Sequence, residues 1–339
     1  MSDTSLVAFL PVSASQAQIT LAAMKAVAAA NGELRPADVQ SLEGAARHIL
    51  YAGSGSNFAA MSAPSPDALA EAFPTQDYRR YILQLIAVMA FVDGKLDNQK
   101  LDKVLEYAAA LGISDDYVRD LAETAKGHSD WVKADMSRNN AESIRGMNLG
   151  EDFEAQFLPY DKNPDPALAD RFRALAKLPY ETFGRAFYDH YTEAGYKFPG
   201  EPDGLSILFG VPHDSAHVVS AYGTSVQGEV LVSTFTAAMH RSEGMSGHIL
   251  PVIFSWHLGI ALNPLAGSAK GAFDGEKFWR AWERGRETTL DTFGPVWDFW
   301  GLAETPLNEI RAAYNVTPLD AAHAADGTPG PVRPFPAEK

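Results

Sequence analysis

The chain has 339 residues, 46% of them hydrophobic, which is enough apolar material for two buried cores and makes two domains the default. Asp and Glu number 43 against 28 Lys and Arg; the formal charge of −15 would repel phosphate backbones and bare anionic membranes, and it argues against a nucleic-acid partner. Cysteine is absent, so disulfides and thiolate metal sites are excluded. The opening Met1-Ser2-Asp3-Thr4-Ser5 lacks the basic segment of a secretory signal, and no apolar stretch reaches the roughly eighteen residues that span a bilayer. A cytoplasmic protein is expected, with any membrane association peripheral.

In chain order, the first pattern is an internal repeat at an offset of 62 residues. Val27 to Leu34 aligns with Met89 to Leu96, and Val39 and Leu42 align with Leu101 and Val104. Each copy reads as a helix, a tight turn at Asn31-Gly32 or Asp93-Gly94, and a second helix. The (D/N)-G-x-L turn between small apolar residues and a polar helix start resembles TerB-like domains of the tellurite-resistance group, over about 15–147. Asp93 and Asp97 invite a cation. An EF-hand loop needs further alternating ligands and a Glu at its twelfth position, which are missing, so turn and cap roles are favoured.

The mixed charges and prolines of 148–165 read as a linker. Beyond it, apolar residues at three and four spacing predict helices over 166–177, 183–194, 204–222, 225–242, 249–261 and 274–293, and alternating runs are scarce. The fold class is all-α, in two helical domains, the second spanning 166–318. The Ala-, Gly- and Pro-rich stretch 319–339 is expected to be disordered. Of the two long apolar runs, Tyr81 to Val92 reads as a core helix and Ile249 to Leu265 as a buried helix that could also touch lipid. Trp279, Trp282, Trp297 and Trp300 read as a core aromatic stripe, and His240, His248 and His257 as surface or satisfied core residues.

Chemistry concentrates in His213-Asp214-Ser215-Ala216-His217, followed after eleven residues by Glu229. His213 and His217 are four apart and share one face of a helix, and Asp214 adds a carboxylate to the same turn. Gly223 is a left-handed cap candidate, and Thr224-Ser225-Val226-Gln227 reads as a capping box opening a second helix. His217 precedes Gly223 by six residues and Glu229 follows it by six. In an antiparallel hairpin both stand roughly 9 Å from the turn, facing each other. Two imidazoles and two carboxylates suit Zn2+, while Fe or Mn could take the same set. An HExxH protease is a poor fit, because its Glu is a general base held off the metal.

This HDxxH, eleven-residue gap and Glu resembles the zinc motif of the Coq-four family of ubiquinone (coenzyme Q) biosynthesis. So do Leu178 to Gly184 with Phe187 to Tyr191, the stretch 223–229, Ala281 to Gly285 leading to Trp297-Asp298, and Pro306 to Arg311. The resemblance implies a metal held by His213, Asp214, His217 and Glu229, and a prenylated quinone precursor or another lipid as ligand. It further implies removal of the ring carboxylate with hydroxylation at C1, or a non-catalytic role organising other quinone-biosynthesis proteins, with peripheral membrane contact; a homodimer is a further candidate. Phe209 to Pro212 and Ser215-Ala216 depart from the charged and aromatic residues usual there, which points to a different substrate.

Arg185, His190 and Tyr222 are candidate substrate contacts, Arg185 as a bidentate partner for a carboxylate. His190 with His213-Asp214 also allows a rival reading as an HD-type metal phosphohydrolase, whose last ligand would be Asp274 or Asp291. That class has no need of His217 or Glu229. The apolar positions Leu208, Val218, Phe235 and 249–258 are expected to wall a cavity beside the ion.

Overall fold

The computed structural model describes residues 10–53, 57–147, 153–262, 267–327 and 333. Those residues are all-helical: sixteen α-helices, no strand, and two isolated bridges, Thr182 to Pro306 and Leu258 to Lys270. The first stretch carries α1 (Ala14–Ala28), α2 (Pro36–His48), α3 (Pro66–Ala72), α4 (Gln76–Val88), α5 (Asn98–Leu111), α6 (Asp116–Ala125) and α7 (Ser129–Ser143). The second carries α8 (Phe153–Phe157), α9 (Pro166–Arg173), α10 (Phe183–Ala194), α11 (Gly210–Ser220), α12 (Val226–His240), α13 (Leu250–Trp256), α14 (Gly275–Glu287), α15 (Phe299–Leu302) and α16 (Leu307–Ala313). No helix among the described residues is long and apolar enough to cross a membrane.

Both copies of the repeat form helix, turn and helix, as α1 to α2 and α4 to α5. Gly32 and Gly94 hold the left-handed turn positions, at φ +89° and +72°. The copies are joined by Asn31 Nδ2 donating to Asp97 Oδ2 at 2.8 Å. Asp97 caps α5 by accepting from the Gln99 amide at 2.9 Å. Asp93 meets the buried Lys100 ammonium and Arg35, each at 3.0 Å. The two acids therefore act as turn and cap groups, and a lysine occupies the place a cation would take.

Two hydrophobic cores form, and their membership crosses the 148–165 stretch. The first is built on α1, α2 and α4 to α6, and it also takes Val230 and Ala237 of α12, Ile249 to Ile253, and Phe278, Trp279 and Trp282 of α14. The second lies among α9 to α12 and α16, with Ala281 of α14. Helices α12 and α14 thus present a face to each core. Contact between α14 and α2 is close: a Cβ on Gly275 would stand 2.4 Å from the Ser41 Cα, and the Trp279 indole donates to Ser41 Oγ at 2.9 Å. The tryptophans divide accordingly, with Trp279 and Trp282 in the first core and Trp297 and Trp300 packed against the second.

Part of the expected linker is ordered. Phe157 of α8 is buried and packs against Phe209, ring centroids 4.9 Å apart at a tilt of 56°. Residues 148–152 lie outside the described residues. The tail corrects another expectation, because Leu319, Ala324 and Ala325 are buried in the second core. Arg333 pairs with Asp189 at 2.7 Å, and its carbonyl accepts from Arg311 at 2.8 Å. Residues 328–332 and 334–339 lie outside the described residues.

Candidate metal centre

Helices α11 and α12 form the antiparallel hairpin expected from the motif. Its turn differs in detail: α11 starts at Gly210 and ends at Ser220, with Ala221 as the left-handed cap at φ 65°. Ser225 caps α12 by accepting from the Gly228 amide at 3.1 Å. A left-handed alanine is disfavoured relative to glycine. Here it turns the chain early enough for the Tyr222 carbonyl to accept from His217 Nδ1 at 2.9 Å. Gly228 is required by close approach, since a Cβ there would fall 1.9 Å from the Gly223 carbonyl oxygen.

Three ligand atoms converge across the hairpin. His217 Nε2 lies 3.3 Å from His213 Nε2 and 3.5 Å from Glu229 Oε1, and His213 Nε2 lies 3.6 Å from Glu229 Oε2. Ligand bonds of about 2.0–2.1 Å at tetrahedral angles separate neighbouring donors by about 3.3 Å, so this triangle already has the dimensions of three corners around one ion. With the His217 Nδ1 proton on Tyr222 O, its Nε2 lone pair faces the triangle; fixing the tautomer from behind is what partners of metal-bound histidines do. His213 is held by Phe209, ring against ring at 5.1 Å.

Asp214 also brings an oxygen within 4.8 Å of the two histidine ligand atoms. Its carboxylate, which also lines the cavity, is held by Tyr191, which donates to Oδ2 at 2.6 Å, and His190 Nε2 stands 3.3 Å from Oδ1. Glu229, by contrast, faces both imidazoles directly. His213, Asp214, His217 and Glu229 are thus placed where they could hold a metal ion, Glu229 against both imidazoles and Asp214 beside them in the cavity wall. Charge follows the same geometry. Burial alone would raise Glu229 and lower His217. Their mutual attraction outweighs it, holding Glu229 far below the usual carboxylate range and His217 above the usual imidazole value. Asp214 is likewise lowered despite burial, first by its hydrogen bond from His190.

The triangle opens on a cavity of about 370 Å³ whose wall includes His213, Glu229, Phe209, Trp256 and His248. His217 is sealed off while the His213 and Glu229 side chains each retain 18% exposure, so the free coordination side faces the cavity. Pro251, Val252, Ser255 and Trp256 supply the expected wall from 249–258. Val218 and Phe235 are instead packed inside the second core, and Leu208 lines a separate depression with Trp297 and Trp300. Helical phase decides this for Val218, which is turned by about 100° from His217 around α11 and so meets the second core.

The candidate substrate contacts separate. His190 sits behind Asp214, its ring 5.2 Å from that of His217. Tyr222 is fully buried and serves through its carbonyl. Arg185 is engaged by Asp189 at 2.9 Å and by the Ala176 carbonyl at 3.1 Å, and it does not line the cavity. Asp274 caps α14 and Asp291 pairs with His240 at 3.0 Å, so neither supplies the last ligand of a phosphohydrolase. His240 and His257 are satisfied core residues, the latter accepting from the Phe273 amide at 3.2 Å. His248 departs from that reading. It sits on a π-helical turn, Gly244–Ile249, and points Nε2 at no partner among the described residues. Burial, then His240 and His213, pushes it down to about 3, so it faces the cavity as a neutral imidazole. Sequence alone gave no signal for it, since a lone histidine in an apolar run reads as core. Tyr191 enters the sequence reading only within the segment Phe187 to Tyr191, with no role of its own. No family model matches the chain, and neither does any curated protein or solved structure.

Proposed function

We propose that this chain is a metal-dependent protein that holds the head-group of a prenylated aromatic acid, a quinone precursor, against an ion on His213, His217 and Glu229. The observation that carries the reading is the ligand triangle set in the wall of a cavity lined by Phe209, Phe157, Trp256 and Phe293. At about 370 Å³ the space lies toward the small end of ligand sites, which run about 300–1,000 Å³. That is room for a ring and a short length of prenyl chain. Resemblance of the HDxxH and Glu motif to the Coq-four family supports the same substrate class and, with it, C1 decarboxylation and hydroxylation.

The donor set fits Zn2+, with Fe or Mn as alternatives. A bound ion supplies a Lewis acid for a carboxylate or phenolate oxygen. The chain's own residues do the rest. Glu229 and the two imidazoles fix the polar end of the cavity, and Asp214, held by Tyr191 and His190, stands beside them. Phe209 and Trp256 supply apolar wall for a ring, and the buried His248 stands in the same wall.

The test is calorimetric titration of zinc-loaded protein with a short-chain prenylated 4-hydroxybenzoate, followed by mass spectrometry of the products in air. Stoichiometric binding that disappears in Glu229→Ala supports the reading, and a decarboxylated, hydroxylated product adds the enzymatic step. Binding without turnover assigns the role of a lipid-holding organiser. Absence of binding to the loaded protein overturns the proposal.

A further inference from the structure

A second convergence of metal-binding side chains lies elsewhere, where α2, α14 and the C-terminal segment meet. His48 Nε2 approaches Glu276 Oε1 at 2.8 Å, and His323 Nε2 approaches the same oxygen at 3.5 Å. One donor atom from each residue falls within 4.8 Å of the other two. The two rings stand edge to face at 5.4 Å, so both Nε2 atoms aim into one space.

Each histidine is held from behind by a carboxylate. His48 Nδ1 meets Glu283 Oε2 at 2.8 Å, and His323 Nδ1 meets Asp320 at 2.8 and 2.9 Å. A carboxylate on Nδ1 holds that nitrogen's proton and turns Nε2 outward as a lone-pair donor, which is the usual support of a metal-bound imidazole. Glu283 is itself fixed by Arg280 at 2.6 Å and by the Tyr51 hydroxyl at 3.0 Å. Arg47 pairs with the same Glu276 Oε1 from a half-exposed side chain, so a bound ion would have to displace it.

We propose that His48, Glu276 and His323 form a second metal site, specific for a divalent transition ion of the zinc type, with water completing the shell. Two imidazoles and one carboxylate are the donors such ions prefer over magnesium or calcium. The His323 to Glu276 spacing already suits a shared ion. The His48 to Glu276 spacing has to open by about half an ångström toward the tetrahedral separation for an ion to sit between them. Because the three ligands come from positions 48, 276 and 323, the ion would clip the N-terminal helices to α14 and to the tail, and its binding energy would add to the stability of that junction.

The test uses the full chain, stripped with chelator and titrated with Zn2+ under elemental analysis and thermal denaturation, with Mg2+ as control. Two equivalents are expected in the unsubstituted protein, one in His323→Gln, one in His217→Ala, and none in the double variant. In His217→Ala, zinc is expected to raise the melting temperature, and His323→Gln is expected to abolish that rise. A single equivalent that survives His323→Gln overturns the second site. A single equivalent lost in His323→Gln but kept in His217→Ala upholds it and overturns the hairpin centre instead. Circular dichroism matching the unsubstituted protein confirms that His323→Gln, on a partly exposed side chain, leaves the fold intact.

Discussion

In the proposed hairpin centre Glu229 and His217 face one another at 3.5 Å, whereas Asp214 is engaged by Tyr191 and His190. Removing either facing ligand, as His217→Ala or Glu229→Ala, is expected to abolish stoichiometric binding at the hairpin. Asp214→Asn is expected to keep the ion with about 10–100-fold weaker affinity, as for other groups that support a ligand from behind. Isothermal titration decides the matter, and complete loss in Asp214→Asn would make it a ligand. The same residues set a pH dependence. In metal-free protein, His217 is raised from 6.5, so its contribution is complete below that value and fades as pH rises through the folded value. Glu229 is lowered from 4.5, so its contribution is complete above that value and fades only in stronger acid. A bound ion needs the imidazoles unprotonated and reverses the first trend. The melting-temperature gap between zinc-loaded and chelator-treated protein is therefore expected to widen from about pH 5.5 to about pH 8, on the proton-release argument. A gap that stays constant counts against histidine ligation.

At the scale of elements, the hairpin works because two backbones touch. Gly228→Ala would force a Cβ into the Gly223 carbonyl, separating the start of α12 from the end of α11 and carrying Glu229 off the histidines. A backbone that cannot yield makes this cost at least about 1–3 kcal/mol, the range for overpacked sites. The expected result, measured by urea denaturation and metal content together, is a destabilised protein with weakened zinc binding. Ala221 is the complementary case. Gly in its place relieves the left-handed residue at φ 65°, so Ala221→Gly is expected to keep the ion and to change stability by less than about 1 kcal/mol, because relief of strain is offset by a floppier unfolded chain.

The whole molecule is tied together through α12 and α14, each of which serves both cores. Residues 150–339 expressed alone would expose Ile249, Ile253, Phe278, Trp279 and Trp282, which α1, α2 and α4 otherwise cover. That fragment is expected to aggregate or to bind a hydrophobic dye strongly, as large exposed apolar patches do. A soluble fragment with native helicity and bound metal would show that the second core suffices. The buried charges point the same way: Glu283 of α14 is fixed by His48 and Tyr51 of the first stretch, so separation would strand a carboxylate as well as apolar surface.

What could be read from the sequence was whatever depends on spacing along one chain. Helical periodicity marked the all-α class, the Asn-Gly and Asp-Gly turns marked the repeat, and the interval from His217 through Gly223 to Glu229 placed two ligands at matching heights on facing helices. Those features are set by neighbours within a few turns. Tertiary structure alone decided the rest. It turned Asp214 toward Tyr191 and His190, sent Arg185 to Asp189, set the His248 imidazole in the cavity wall, docked the Ala-rich tail, and brought position 48 to positions 276 and 323. Each of these depends on which face of a helix meets which distant partner. Such choices are fixed by the competition among all apolar faces for burial, which no local interval records.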